Sequence, residues 1–207
     1  MFMKDRKLLL LLALIVAFSA SRVQAQTATT TLVTDPESGL EYLRDGEDGE
    51  LYIYVGGDAM SSLPTINGVS SHKYFIPDDN LRPALRKAFN SDIAKFYKSD
   101  LDAVTVIGGS DTTLRNQVEN YKGLEYFRNL TTLTVKSEGV SSVTLDLSKN
   151  TKLSSLSFTN NGTSQKLSYL DISNTQLTSV IIPSGGQVIS QPSSVTTHTS
   201  QLPQSHP

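Results

Sequence analysis

The string LDLSKNTKLSSLSF, Leu145 to Phe158, returns from Leu170 as LDISNTQLTSVII, one residue shorter and with every apolar place refilled by another apolar residue. An internal repeat constrains a fold strongly, because each copy exposes an apolar face that only its neighbour can cover. Four segments superimpose: Leu101-Asp-Ala-Val104-Thr-Val106, Leu130-Thr-Thr-Leu133-Thr-Val135, Leu153-Ser-Ser-Leu156-Ser-Phe158 and Leu177-Thr-Ser-Val180-Ile-Ile182. Each is apolar at its first, fourth and sixth places. Their starts lie 29, 23 and 24 residues apart, within or at the limit of the roughly 20–29 residues of a leucine-rich repeat. Between the last three, Val143-Thr-Leu145-Asp-Leu147 and Leu170-Asp-Ile172 alternate apolar and polar, which predicts short extended segments on the opposite face. Asn150 and Asn174 fall at the corners, where an amide side chain can bond backbone groups leaving the strand. A Ser/Thr-rich β-sandwich is the competing reading, and the four matched segments with two matched spacers weigh against it.

The expected fold class is therefore α/β: a short leucine-rich repeat solenoid with an N-terminal helical cap, preceded by a small β-hairpin region. Residues 1–25 read as a signal peptide, with Lys4, Arg6 and Lys7 ahead of an apolar run from Leu8 to Phe18 and small residues at Val23 and Ala25. That predicts a secreted or cell-surface protein with no membrane span once the signal is removed. The chain has no cysteine, so neither disulfides nor a lipid-modified cysteine is available. Residues 26–71 read as a leader, Thr-rich and flexible to Asp35, with a hairpin of Leu40–Leu43 and Leu51–Val55 around two Asp-Gly pairs, then a linker from Gly56 to Ser71.

Residues 72–100 read as the helical cap. One helix should start after Pro77-Asp78-Asp79-Asn80 and put Leu81, Leu85 and Phe89 on one face; a second, Asp92 to Lys98, should present Ile93, Phe96 and Tyr97. Residues 101–183 carry the repeats. Residues 184–207 form a low-complexity tail expected to be disordered, because its few bulky apolar residues cannot offset ordering entropy. No segment after Ile182 reads as a cap, so Val180–Ile182 is expected to be an open edge through which copies self-associate.

The formal charge of −2 is nearly balanced, without a basic stripe, which argues against nucleic acid as a partner. No cofactor motif appears. His72, His198 and His206 lack metal-ligand spacing, no serine sits in a nucleophile elbow, and no catalytic residue is assigned. If the strands alternate, the outer face comprises Ala103, Thr105, Thr132, Thr134, Lys136, Ser155, Ser157, Thr159, Ser179 and Ile181. It is nearly all hydroxyl and lacks the aromatic and arginine anchors of tight protein interfaces. Hydroxyl ladders can meet a glycan or simply solvate a sheet. Tyr42, Tyr52 and Tyr54 gather in the hairpin, where they are expected to cover its own core.

Tyr121-Lys-Gly-Leu-Glu-Tyr-Phe-Arg-Asn-Leu-Thr-Thr-Leu133 and the LDLSKNTKL string resemble the internalin-like leucine-rich repeat proteins of bacterial surfaces, and the second string is similar to exported proteins of Bacteroidetes-type bacteria. The resemblance covers about Tyr74 to Pro183. It implies a helical cap at one end of the core and a concave parallel sheet that binds macromolecules without catalysis. The implied partner is a protein or glycan on the surface of a host or neighbouring cell. Family members usually carry more repeats followed by a C-terminal cap or sorting domain, whereas here the Ser/Gln-rich tail follows Pro183. The alternative expectation is thus a truncated structural member with no ligand, and a hydrolase is a third.

Overall fold

The structure, a computed structural model, describes residues 31–44, 46, 49–56, 64–89, 95–108, 114–137, 142–158, 166–182, 188, 190–191 and 193–199. The segment read as a signal peptide lies outside these residues. Among the described residues no helix is long and apolar enough to cross a membrane.

The hairpin forms as strands β2 (Glu41–Arg44) and β3 (Leu51–Tyr54), but it belongs to a larger antiparallel sheet. Its order is β1 (Thr31–Thr34), β2, β3, β6 (Lys95–Tyr97). Two expectations are corrected here. The leader is a strand from Thr31 onward, paired so that Thr31 faces Arg44 and Thr34 faces Glu41. The expected helix from Asp92 to Lys98 is instead strand through Lys95–Tyr97, which sets Phe96 opposite Ile53. The following helix, here α3, spans Lys98–Ala103. Pairing with β3, buried from Tyr52 to Tyr54, wins over helical spacing because it hides Phe96 and satisfies β3's second edge. Tyr42, Tyr52 and Tyr54 are all buried, as the hairpin reading required, with the Tyr52 and Tyr54 rings edge to face at 5.3 Å.

The expected linker is also partly ordered. Strands β4 (Thr65–Ile66) and β5 (Val69–Ser70) form a tight hairpin whose two turn residues, Asn67 and Gly68, both have positive φ, 51° and 80°. That is the type I′ signature of an Asn-Gly pair. Helix α1 (Ser71–Phe75) follows, then α2 (Leu81–Ala88), which starts where the Pro-Asp-Asp-Asn string predicts and buries Leu81 and Leu85. Asp78 makes the start: its Oδ1 accepts the backbone N–H of Asn80 and Leu81 at 2.8 and 3.0 Å. Its Oδ2 accepts those of Glu119 and Asn120, both at 2.9 Å, tying the cap to the repeats.

In the repeat region, β7 (Val106–Ile107) and β8 (Leu114–Asn116) lie in succession along one edge of β9 (Thr132–Ser137), and β11 (Ser155–Phe158) lies along the other. All are parallel. Val106, Thr132 and Ser155 share one row; Ile107, Leu133 and Leu156 share the next. The first repeat is therefore shifted from its expected register. Leu101 is helical, Val106 is 47% exposed, and Ile107, fully buried, fills the inward place expected for Val104. Beyond Ile107 the pairing is interrupted: from Ile107 to Leu114 the chain takes seven steps while its partner takes two, Leu133 to Val135.

Gly108 begins that detour. With φ at +106°, it lies so close to β9 that a Cβ would stand 2.4 Å from the Thr134 Cβ. We expect Gly108→Val to cost about 2–5 kcal/mol, from backbone strain and steric overlap together. Gly39→Ala, also at positive φ but with nothing within 4 Å, should cost only about 1 kcal/mol. Equal urea midpoints for the two variants would contradict the packing.

The spacers form the second parallel ladder, as expected. In β10 (Ser142–Asp146) and β12 (Lys166–Asp171), Val143, Leu145, Leu167 and Leu170 point inward, with Leu147 and Ile172 just beyond. Ser168 is an extra residue in β12 at a register shift, where its Oγ donates to the Val143 carbonyl at 3.0 Å. Single parallel bridges extend this ladder to Asn120 on one side and Ser190 on the other.

The tail differs from expectation. Strand β13 (Ser179–Ile182) pairs in parallel with β14 (Thr196–Thr199), Val180 facing Thr197. The disordered tail of 184–207 is thus corrected at Thr196–Thr199, and the self-association expected through an uncovered Val180–Ile182 edge loses its premise. Val195 is buried and supplies the apolar anchor for this return. One continuous apolar cluster runs from Tyr42 to Val195, so hairpin, cap and parallel strands share a core.

Candidate functional site

The outer face assigned from sequence is partly assembled. Thr132 and Thr134 on β9 are half-buried, and Ser155 and Ser157 on β11 are exposed beside them in register. Ser179 on β13 is exposed, as is its neighbour but one, Ile181, at 56%. Thr105 precedes β7 rather than joining the row; its carbonyl accepts the Thr131 and Thr132 N–H groups at 2.8 and 3.2 Å. Val106 takes its place beside Thr132. Ala103 ends α3, Lys136 stands on β9 in register with Arg115, and Thr159 lies outside the described residues. The result is a shallow hydroxyl surface with two exposed aliphatic side chains at its margins. His72 sits in α1 and His198 in β14, in separate elements, and His206 lies outside the described residues.

The opposite ladder carries richer chemistry. Its outward places put Asn120, Thr144 and Tyr169 in one row, and Asp146 beside Asp171 two residues further along. Of these, Asn120, Thr144, Tyr169 and Asp146 line, with the segment of Lys122 and Glu125, a cleft of about 420 Å3, to which Leu40, just before β2, contributes apolar lining. Lys122 and Lys149 stand at the cleft with Glu125 and Asp146. Asp146 Oδ1 accepts the Ser148 N–H at 2.9 Å and its hydroxyl at 2.7 Å, which fixes the corner; Asp171 Oδ1 does the same for the Ser173 N–H at 2.9 Å. Desolvation first, and the carboxylates of Asp146 and Asp171 second, raise Tyr169 above its ordinary value of 10.0.

Glu125 is the most perturbed acid here. Burial raises its carboxyl above the ordinary 4.5, outweighing its backbone hydrogen bonds, which include one from the Gly123 N–H at 2.5 Å. Because the folded value is the higher one, its contribution to stability is present below the ordinary pKa and is lost as pH rises through the folded value. We expect Glu125→Gln, which keeps an acceptor for Gly123 and removes the buried charge, to melt a few degrees above the parent at pH 7 and level with it near pH 4. A Gln variant less stable than the parent at pH 7 would contradict the desolvation account.

No protein-family model matches the chain, and no curated protein matches it. Seven solved chains do. One is the functional domain of InlJ from Listeria monocytogenes, described as including a cysteine ladder; it is a weak structural neighbour, 20% identical, with a TM-score of 0.30. The match covers 52% of this chain but only 29% of that one.

Sequence reasoning missed the Tyr169 cleft because it followed the Ser/Thr strands and treated the spacers only as core. The signal was present in the same alternation. If Leu145 and Leu170 point inward, then Thr144, Asp146, Tyr169 and Asp171 must point out.

Proposed function

We propose that the chain is an exported, non-enzymatic binding protein whose parallel strands make a short leucine-rich repeat solenoid used in attachment to host or neighbouring cells. The observation that carries this reading is the pair of ladders. Val106 to Thr132 to Ser155 advances by 26 and 23 residues, and Val143 to Leu167 by 24, steps that fall in the leucine-rich range. Each advance returns an inward apolar residue to the same place and leaves polar side chains on two outer faces. The attachment role comes from the resemblance of the LDLSKNTKL and GLEYFRNL strings to internalin-like surface proteins.

The test is binding of the fluorescently labelled chain to intact epithelial and bacterial cells. Saturable binding, displaced by unlabelled chain, is expected on at least one cell type. Non-saturable binding on all of them would overturn the attachment role, and turnover of broad hydrolase substrates, lost on changing one residue, would overturn the non-enzymatic one.

A further inference from the structure

The Tyr169 cleft has a composition that selects for one kind of ligand. A volume of about 420 Å3 is in the range of small-molecule sites, roughly 300–1,000 Å3. Its charges balance, two lysines against two carboxyl groups, so no strong field favours an anion or a cation. Among the described residues no group of three or more His, Cys, Asp or Glu is placed to hold a metal. What remains is a mixture of donors and acceptors beside an aromatic ring.

The polar groups are already positioned by the corners they build. Asn120 uses its Oδ1 to accept the Lys122 N–H at 2.9 Å, which leaves its amide nitrogen as a donor. Asp146 uses Oδ1 for Ser148, and its Oδ2 has no hydrogen bond among the described residues. Thr144 is exposed between Asn120 and Tyr169 in the row, where parallel strands stand about 4.8 Å apart. That spacing is comparable to the width of a sugar ring. Tyr169 offers a rigid flat face with little side-chain entropy to lose.

We propose that this cleft binds a neutral saccharide, one sugar ring lying against Tyr169 and its hydroxyls meeting Asn120, Thr144 and Asp146. Vicinal hydroxyls each donate and accept, so they match an amide, a hydroxyl and a carboxylate side by side. Leu40 faces the ring's C–H groups. The proposal deepens the binding role above by naming a ligand class, and it places that ligand on the spacer ladder, away from the Thr134 and Ser157 surface.

Saturation-transfer NMR of the purified chain with cellobiose, maltose, lactose, chitobiose and mannobiose tests this directly. At least one disaccharide should receive magnetisation at its ring protons. Tyr169→Ala should weaken that transfer at least about fivefold, Tyr169→Phe should keep it, and Ser157→Ala, on the other ladder, should leave it unchanged. Thr144→Arg gives a second variant that blocks the cleft from an exposed place without touching the core, and should abolish transfer. No transfer from any of the five, or equal transfer in the parent and Thr144→Arg, overturns the proposal. Saturable cell binding in that event would leave the attachment role standing, so the two failures are distinguishable.

Discussion

Leu156→Asp is expected to unfold the repeat region at room temperature, whereas Ser157→Asp next to it should change stability by no more than about 0.5 kcal/mol. Leu156 is 8% exposed and shares a row with the fully buried Leu133 and Ile107. Removing its apolar contacts costs about 2–5 kcal/mol by analogy with large-to-small core changes. Burying a carboxylate with no partner adds several more. The sum is comparable to the whole stability of a small domain, about 5–15 kcal/mol. Ser157 points out beside Thr134, which carries no charge to repel a new carboxylate. The chain contains no tryptophan, so far-UV circular dichroism during urea titration is the suitable readout. Coincident midpoints would mean that the inward and outward places are exchanged.

The contrast between these neighbours was legible because alternation is a local property: once one leucine points in, its neighbours are assigned. The same logic found the hairpin of Tyr42 and Tyr52 and the spacer ladder through Leu145 and Leu170, and the start of α2 was legible from another local signal, the capping groups of Asp78 to Asn80. Failures fell where a distant partner decides. The Thr31–Thr34 strand and the Lys95–Tyr97 strand exist through pairing with β2 and β3, and a three-residue strand such as Lys95–Tyr97 is too short to show a period of its own. The first repeat differs in register because Leu101, Val104 and Val106 match the apolar pattern on their own, and only the pairing of Ile107 with Leu133 decides which residues take the inward places. Strand β14 was hidden by its composition of threonine and histidine, which reads as tail until Val195 is seen to be buried. The Asn67-Gly68 turn, by contrast, carries a local signal, an Asn-Gly pair whose two residues both take positive φ.

Asn150→Ala is expected to cost about 1–3 kcal/mol, because it removes the only side chain bonded to two buried carbonyls among the described residues, each bond worth about 0.5–1.5 kcal/mol while the carbonyls keep the backbone N–H groups of Phe127 and Leu130. Asn150 is fully buried and its Nδ2 donates to Leu124 O at 2.9 Å and Phe127 O at 3.1 Å. Both acceptors belong to the turn that precedes β9 in the previous repeat, so one amide joins two successive turns of the chain. In the next repeat that place is held by Thr175 rather than Asn174. Thr175 N donates to Ile172 O as Asn150 N does to Leu147 O, while Asn174 is exposed and reaches only Ser148 O, at 3.2 Å. The missing residue of the second copy therefore lies after the corner, between Thr175 and Leu177, and the asparagines aligned by sequence are not equivalent in space. Thr175 Oγ1 donates to Ile172 O within its own corner, at 2.9 Å. Thr175→Ala should accordingly cost only about 1 kcal/mol, and Asn174→Ala less still. Asn150→Asp provides the sharper test. An ionised carboxylate has no hydrogen to donate and faces two carbonyl oxygens, so this variant should be less stable than Asn150→Ala at pH 7, and should recover part of the difference as pH falls from 7 towards about 4, the protonated acid then donating to one of them. Equal urea midpoints for Asn150→Ala and Asn174→Ala would show that the two asparagines do the same work after all, and that the corner is not what joins the repeats.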